Sequence, residues 1–440
     1  VSRVFGYGSA RTGNPSEANM AAWRNWSGSV TANPSMVARP RTRDALRDLV
    51  AGADRVRVTG AGHSFMSLCE TDGLLLSLAD MAGAVSVCDD GLSAWVPAGW
   101  PIHRLTPELW ARGLSLANQG DIDKQAMAGA LSTGTHGTGA TLGSISTQAL
   151  AYRLVLADGS LAECDAETDP DLFQATRVSL GMIGVMEQVK LALKPAYRLR
   201  ETLKTAPLEA ILEQWDDLTA RHRHVEFFIF PYADQGLMKI LDPVETGDDP
   251  PAANMDSAVL QLMSDLAATA PVLAPGLQRL VTRLMSPSTR AAPAYQIFPS
   301  ERATLFEEME YEIPAAAGAD ALRAAIAEVR RRRFPIIFPF EYRAVAGDDI
   351  WLSPMHAGPC VSISFHQYAK MDWRAPFAAI EAVFAAHGGR PHWAKRHSLT
   401  SEDVLRLYPM AERWAGVRRR ADREAKFMND ALRALFAFSL

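Results

Sequence analysis

The sequence predicts an α+β protein of two domains, and three observations carry that prediction. At 440 residues the chain exceeds the ~250–300 residues that a single hydrophobic core accommodates. Hairpin-like strand pairs and amphipathic helices are interleaved, and the composition shifts near Lys194-Pro195. Apolar residues make up 48% and charged residues 22%, which excludes a disordered or collagen-like chain.

The elements follow in order from local chemistry. Thr42 is placed to cap a short helix whose Leu46, Leu49 and Val50 face inward. Arg55 to Thr59 then alternate polar and apolar as a half-buried strand does, and the strand delivers Gly60-Ala61-Gly62-His63-Ser64. Asp89-Asp90-Gly91 turns a hairpin between Val85–Val87 and Ala94–Val96, and Asp158-Gly159 turns another between Leu154–Leu156 and Leu161–Glu163. Residues 247–254, an acidic and Pro-rich run, read as a loop. A helix follows with Leu322, Ala325, Ile326 and Val329 on one face, ending in Arg330–Arg333, and then a strand over Pro335–Val345.

Three glycine-punctuated loops carry the chemistry of the first half. Two glycines beside His63 permit close backbone approach, so its imidazole can touch a cofactor directly. The run Met127 to Gly139 includes Ser132-Thr133-Gly134-Thr135-His136-Gly137, whose unobstructed amides and hydroxyls suit an anionic pyrophosphate. It is neither a Walker loop nor a Rossmann fingerprint, because no Gly-Lys-Ser/Thr follows and the glycine order is wrong. The third loop is Ser179-Leu180-Gly181-Met182-Ile183-Gly184-Val185.

In the second half, Glu341 and Arg343 are two residues apart and share one face of a strand. On the next strand Ser362, Ser364, His366 and Tyr368 lie opposite Val361, Ile363 and Phe365, so two polar faces are available to one pocket. Arg390-Pro391-His392-Trp393-Ala394-Lys395 places a lysine after an aromatic anchor.

The three loops, in this order, resemble the FAD-binding domain of the vanillyl-alcohol oxidase superfamily. Glu341-x-Arg343, His392-Trp393-x-Lys395, Glu308-Met309-Glu310-Tyr311 and Lys426-Phe427-Met428-Asn429 narrow the likeness to the aldonolactone oxidoreductases, the group of gulonolactone and arabinonolactone oxidases. Alditol oxidases share the first two patterns and Trp351-Leu352-Ser353-Pro354, and remain close competitors. The resemblance implies a two-domain FAD-binding fold: an FAD domain over 22–197, a substrate domain built on an antiparallel sheet over 198–411, and a 412–440 segment returning to the FAD domain. It also implies FAD joined covalently through His63 and cradled by Gly60, Ala61, Gly62, Ser64, Ser132–Gly137, Gly181, Gly184, Val185, His392 and Lys395.

The implied reaction oxidises a sugar lactone, or a polyol in the alternative, and passes electrons to dioxygen or another acceptor. A guanidinium at Arg343 suits a substrate oxygen that gains negative charge, and Glu341 would hold Arg343 or a sugar hydroxyl. Lys395 would face the flavin pyrimidine edge. His366 is the preferred proton acceptor, with Glu341 a rival. By the resemblance, the position held by Trp100 lies near the oxygen-reactive face of the flavin and usually carries a smaller side chain, so an oxidase and a dehydrogenase stay level.

The net charge of −5 argues against nucleic acid, since the Arg330–Arg333 and Arg418–Arg420 runs suit helix C-termini and lack interleaved aromatics. No apolar run approaches ~18 residues, so no membrane span is expected, and a cytoplasmic location is the expectation. Cys69, Cys88, Cys164 and Cys360 lack metal-ligand spacing.

Overall fold

A computed structural model describes residues 22–250, 257–300, 304–356 and 358–440. Residues 251–254 of the acidic loop and the first twenty residues fall outside them.

Thr42 caps the helix Arg43–Gly52, accepting from the Ala45 amide at 3.3 Å, and Leu46 and Val50 are buried beneath it. The strand Val56–Val58 pairs in parallel with Leu74–Leu76, which pairs in parallel with Met36–Ala38. Both predicted hairpins form within a second, antiparallel sheet ordered Leu161–Asp165, Ala149–Val155, Val185–Ala192, Ser93–Pro97, Ser86–Val87.

The second half is built on an eight-stranded antiparallel sheet. Its order is Ser288–Pro293, Arg198–Pro207, Gln235–Val244, His224–Ile229, Phe340–Val345, Cys360–Tyr368, Phe306–Pro314, Arg390–Pro391. Alternation along the strands sends Phe227, Met309, Tyr311, Tyr342, Ile363 and Phe365 to one face. The helices Gly318–Arg332 and Arg374–Ala386 cover that face, and Leu322, Ala325, Ile326 and Val329 are buried against it. Each large apolar side chain buried there contributes about 1.5–3 kcal/mol. Arg333, in the left-handed region at φ 55°, ends the first helix. The following strand begins at Phe340 rather than at Pro335, because Pro335 and Pro339 have no amide to donate to a ladder.

The opposite face of this sheet is polar yet equally buried. The glycine-rich loop of the first half docks on it: Gly139 donates to Ala344 O at 2.7 Å, and Thr138 Oγ1 to Val225 O at 2.6 Å. Gly139 has φ +139°, and a Cβ there would meet Arg223 O at 2.9 Å, so this docking requires glycine. The end of the chain also ties to the first half. Val56 N donates to Lys426 O at 3.0 Å, and Trp414 Nε1 to Ala175 O at 3.1 Å. Arg418 lies in the last turn of the helix Ala411–Ala421, as expected of a helix-end charge, but is 1% exposed and donates to Asp422 O and Ser439 O. No described helix is long and apolar enough to cross a membrane.

Candidate active site

The three glycine loops converge. Leu180 N donates to Ser132 O at 3.0 Å, joining the third loop to the second. A Cβ on Gly60 would lie 2.8 Å from Ala126 Cβ, and one on Gly137 would lie 2.3 Å from Gln119 O. Gly62, Gly134 and Gly181 have φ of +68°, +74° and +71°, a conformation that L side chains rarely adopt. Arg57 braces the assembly from behind, donating to Leu68 O at 2.6 Å, Leu180 O at 2.7 Å and Gly181 O at 3.3 Å. Two buried donors beside these loops, Trp100 Nε1 and Gln119 Nε2, have no partner among the described residues. A backbone cradle with orphaned donors fits a large polar cofactor that carries a pyrophosphate.

His63 stands at the first loop, stacked on Trp26 with ring centroids 5.5 Å apart. Burial, and then the neighbouring Lys395 charge, push its imidazole down to about 4. The ring is therefore neutral at neutral pH and keeps a lone pair for bonding.

One cleft collects the four residues expected to be catalytic. Glu341, Arg343, His366 and Lys395 line it together with His392, His136 and Thr135, and with Asp121, Glu308 and Glu310. Arg343 is its hub: Nε meets Glu226 at 2.7 Å, and Nη2 meets Asp121 at 2.7 Å and contacts Glu341. Nη1 approaches Glu310 only to 3.8 Å. Burial opposes the charge on Arg343, but the surrounding carboxylates prevail and hold its pKa well above the usual value. Lys239 adds a second cation, 3.0 Å from Glu226. A larger cavity of about 350 Å³ lies between the Val56 strand and the 426–431 segment. It contains none of the predicted catalytic residues.

Glu308, Glu310 and Glu312 alternate along Phe306–Pro314 and project from its polar face, at 4%, 3% and 2% exposure. The Glu-Met-Glu-Tyr-Glu-Ile alternation was the available signal for this acidic row. Glu308 contacts Lys395 and lies 3.4 Å from His366 Nε2. Glu310 and Glu312 approach His136 Nε2 at 3.2 and 3.1 Å. His136 Nδ1 lies 2.8 Å from Gly137 O, and Ser362 donates to Glu310 at 2.6 Å. One ligand atom each of His136, Glu310 and Glu312 lies within 4.8 Å of the others. Lys395 at 3.7 Å and Arg343 at 3.8 Å from Glu310 already supply positive charge, so a proton suits this trio better than a metal ion.

The electrostatics of the trio agree. Burial alone would lower His136, but Glu310 and Glu312 raise it to about 10. Burial lifts Glu312 to about 7 against the pull of His136. Both folded pKa values exceed the ordinary 6.5 and 4.5, so above those values the folded state binds more protons than the unfolded state. Their contribution is complete at low pH and is lost as pH rises, from Glu312 between about 4.5 and 7 and from His136 between about 6.5 and 10. Thermal melts of the holoenzyme should therefore fall between pH 6.5 and 10. His136→Gln should flatten that limb; a native melting point constant across the window would refute the buried imidazolium.

A glycine-loop cradle facing a buried polar sheet defines an FAD-dependent oxidoreductase of the vanillyl-alcohol oxidase fold. Comparison with known proteins supports the same class: the model of an FAD binding domain matches residues 34–165, and that of D-arabinono-1,4-lactone oxidase matches residues 189–435. The chain belongs to the D-arabinono-1,4-lactone oxidase family. It is 37% identical to the L-gulono-1,4-lactone dehydrogenase of Mycobacterium tuberculosis H37Rv, over 93% of this chain and 98% of that protein. It is 28% identical to the mouse (Mus musculus) L-gulonolactone oxidase, over 94% and 98%. In fold it resembles the cholesterol oxidase of B. sterolicum, with a TM-score of 0.83 at 15% identity, covering 94% of this chain and 96% of that one.

Proposed function

We propose that the protein oxidises the secondary alcohol beside the carbonyl of an aldono-1,4-lactone of the gulono or arabinono type. The observation that carries this is the convergence of Arg343, Glu341, His366 and Lys395 on one cleft bordered by His136 and Thr135 of the second glycine loop. The alditol alternative is not favoured, because the relatives reported above are named for lactones. The division at 22–197, 198–411 and 412–440, the covalent FAD link at His63 and a cytoplasmic location belong to the same proposal.

FAD, when bound, supplies the acceptor for the hydride that leaves the substrate carbon. Gly60–Ser64, Ser132–Gly137, Gly181, Gly184 and Val185 would hold it, with His392 and Lys395 beside it. Arg343 binds the substrate oxygen on which negative charge develops. Its Nη1 suits this role, since Glu226, Asp121 and Glu341 engage Nε and Nη2. Lys395 is an ammonium: burial opposes its charge, but Glu308 and Glu310 raise its pKa. His366 receives the hydroxyl proton. Anaerobic mixing with a panel of aldonolactones and alditols tests the reading, which predicts bleaching of the flavin by lactones. Bleaching by alditols alone, or by neither group, overturns it.

Trp100 bears on the electron acceptor. It is 5% exposed, Arg104 stacks on its ring at 3.8 Å, and its carbonyl accepts from Met127 N at 2.9 Å. A large, clamped indole beside the second loop supports a dehydrogenase that reacts slowly with air. Stopped-flow mixing of substrate-reduced enzyme with aerated buffer should show slow reoxidation, accelerated in Trp100→Gly. Rapid reoxidation of the native protein would make it an oxidase.

A further inference from the structure

The proposed reaction makes His366 a proton acceptor, and a carboxylate sits where it can orient that ring. Glu308 lies directly opposite His366 in the antiparallel register, so the two side chains share a face. Glu308 Oε1 is 3.4 Å from His366 Nε2, and its Oε2 contacts the Lys395 ammonium. Burial opposes ionisation of Glu308, yet the Lys395 ammonium, with the hydrogen bond from His366, holds its pKa below the usual carboxylate value. A bare lone pair on Nε2 would be repelled by this carboxylate, so the proton of a neutral ring belongs on Nε2. That leaves the lone pair on Nδ1, which is buried and has no partner among the described residues. Phe306, edge-on with centroids 5.0 Å apart, and Phe338 at 6.1 Å pack on the ring.

We propose that Glu308 is a positioning residue: it fixes His366 as the Nε2–H tautomer with Nδ1 ready to accept, and its second oxygen holds Lys395 in the cleft. This rests on the lactone reading. In the step, the substrate O–H bond breaks and its proton forms the Nδ1–H bond. The C–H bond breaks as its electron pair leaves with the hydride for FAD, and the alcohol carbon becomes a carbonyl carbon. Glu308 then faces the resulting imidazolium and balances its charge, as the carboxylate does in a Ser-His-Asp triad.

Two measurements on the holoenzyme test this. In anaerobic stopped-flow with a lactone, Glu308→Gln should slow flavin reduction by about 10²-fold with KM little changed, and Glu308→Asp should recover part of the rate. In a His366→Ala background, Glu308→Gln should cost much less than it does alone, because only its hold on Lys395 remains to be lost. A full multiplicative loss in the double variant would overturn the proposal. Separately, ¹⁵N-histidine NMR of the oxidised enzyme, with His366 assigned by its disappearance in His366→Ala, should show Nε2 protonated and Nδ1 bare. Glu308→Gln should mix the tautomers; a native Nδ1–H ring, or a tautomer unmoved by that variant, refutes the proposal. Because the NMR measurement needs no substrate, it decides the role of Glu308 even if no lactone reduces the flavin.

Discussion

Arg343→Met is expected to destabilise the holoenzyme by about 3–5 kcal/mol, the usual consequence of stranding one side of a buried ion pair. Arg343 meets Glu226 and Asp121 at 2.7 Å and also contacts Glu341. Lys239, 3.0 Å from Glu226 and 3.8 Å from Asp121, compensates only in part. Arg343→Lys restores the charge without the planar fork, so stability should largely return while catalysis does not. Flavin reduction by lactone should fall about 10²–10³-fold, the loss seen when a donor to developing negative charge is removed, with FAD content near normal. Denaturant unfolding and anaerobic stopped-flow separate the two effects. A native reduction rate in Arg343→Lys would remove this residue from the site.

His63→Ala should convert the FAD from retained to releasable. Acid-precipitated native protein is expected to keep its yellow colour in the pellet, whereas the variant should lose it to the supernatant. The ring is suited to bonding because burial and Lys395 keep it neutral, with a pKa of about 4, and because Trp26 stacks on it. Colour released from the native protein would refute the covalent link and leave non-covalent FAD in place.

Much of this site was legible in the chain. Gly62, Gly134 and Gly181 stand out because their backbone conformation excludes most other residues, and such positions announce themselves in sequence. Glu341, Arg343, His366 and Lys395 were found from strand period and motif, and one cleft gathers them. Glu308 and Glu310 entered only as part of a motif, while Glu226, Glu312 and Lys239 drew no attention. The reason is physical: an acidic residue at every second position of a strand is the ordinary pattern of a face turned to water.

Sequence alone thus determined the local features: the Thr42 cap, the Asp158-Gly159 hairpin, the helix face of Leu322 to Val329, and the loops that suit FAD. Each depends on backbone torsions or periodicities that a few neighbouring residues set. Tertiary structure decided which side of the eight-stranded sheet became the interior of the site. Thr138 and Gly139 dock onto strands more than eighty residues away in the chain, and that docking removes water from Glu308, Glu310, Glu312 and Arg343. Desolvation then turns a row of surface-type carboxylates into a charge network that must pair internally, and no local pattern encodes a contact across that distance.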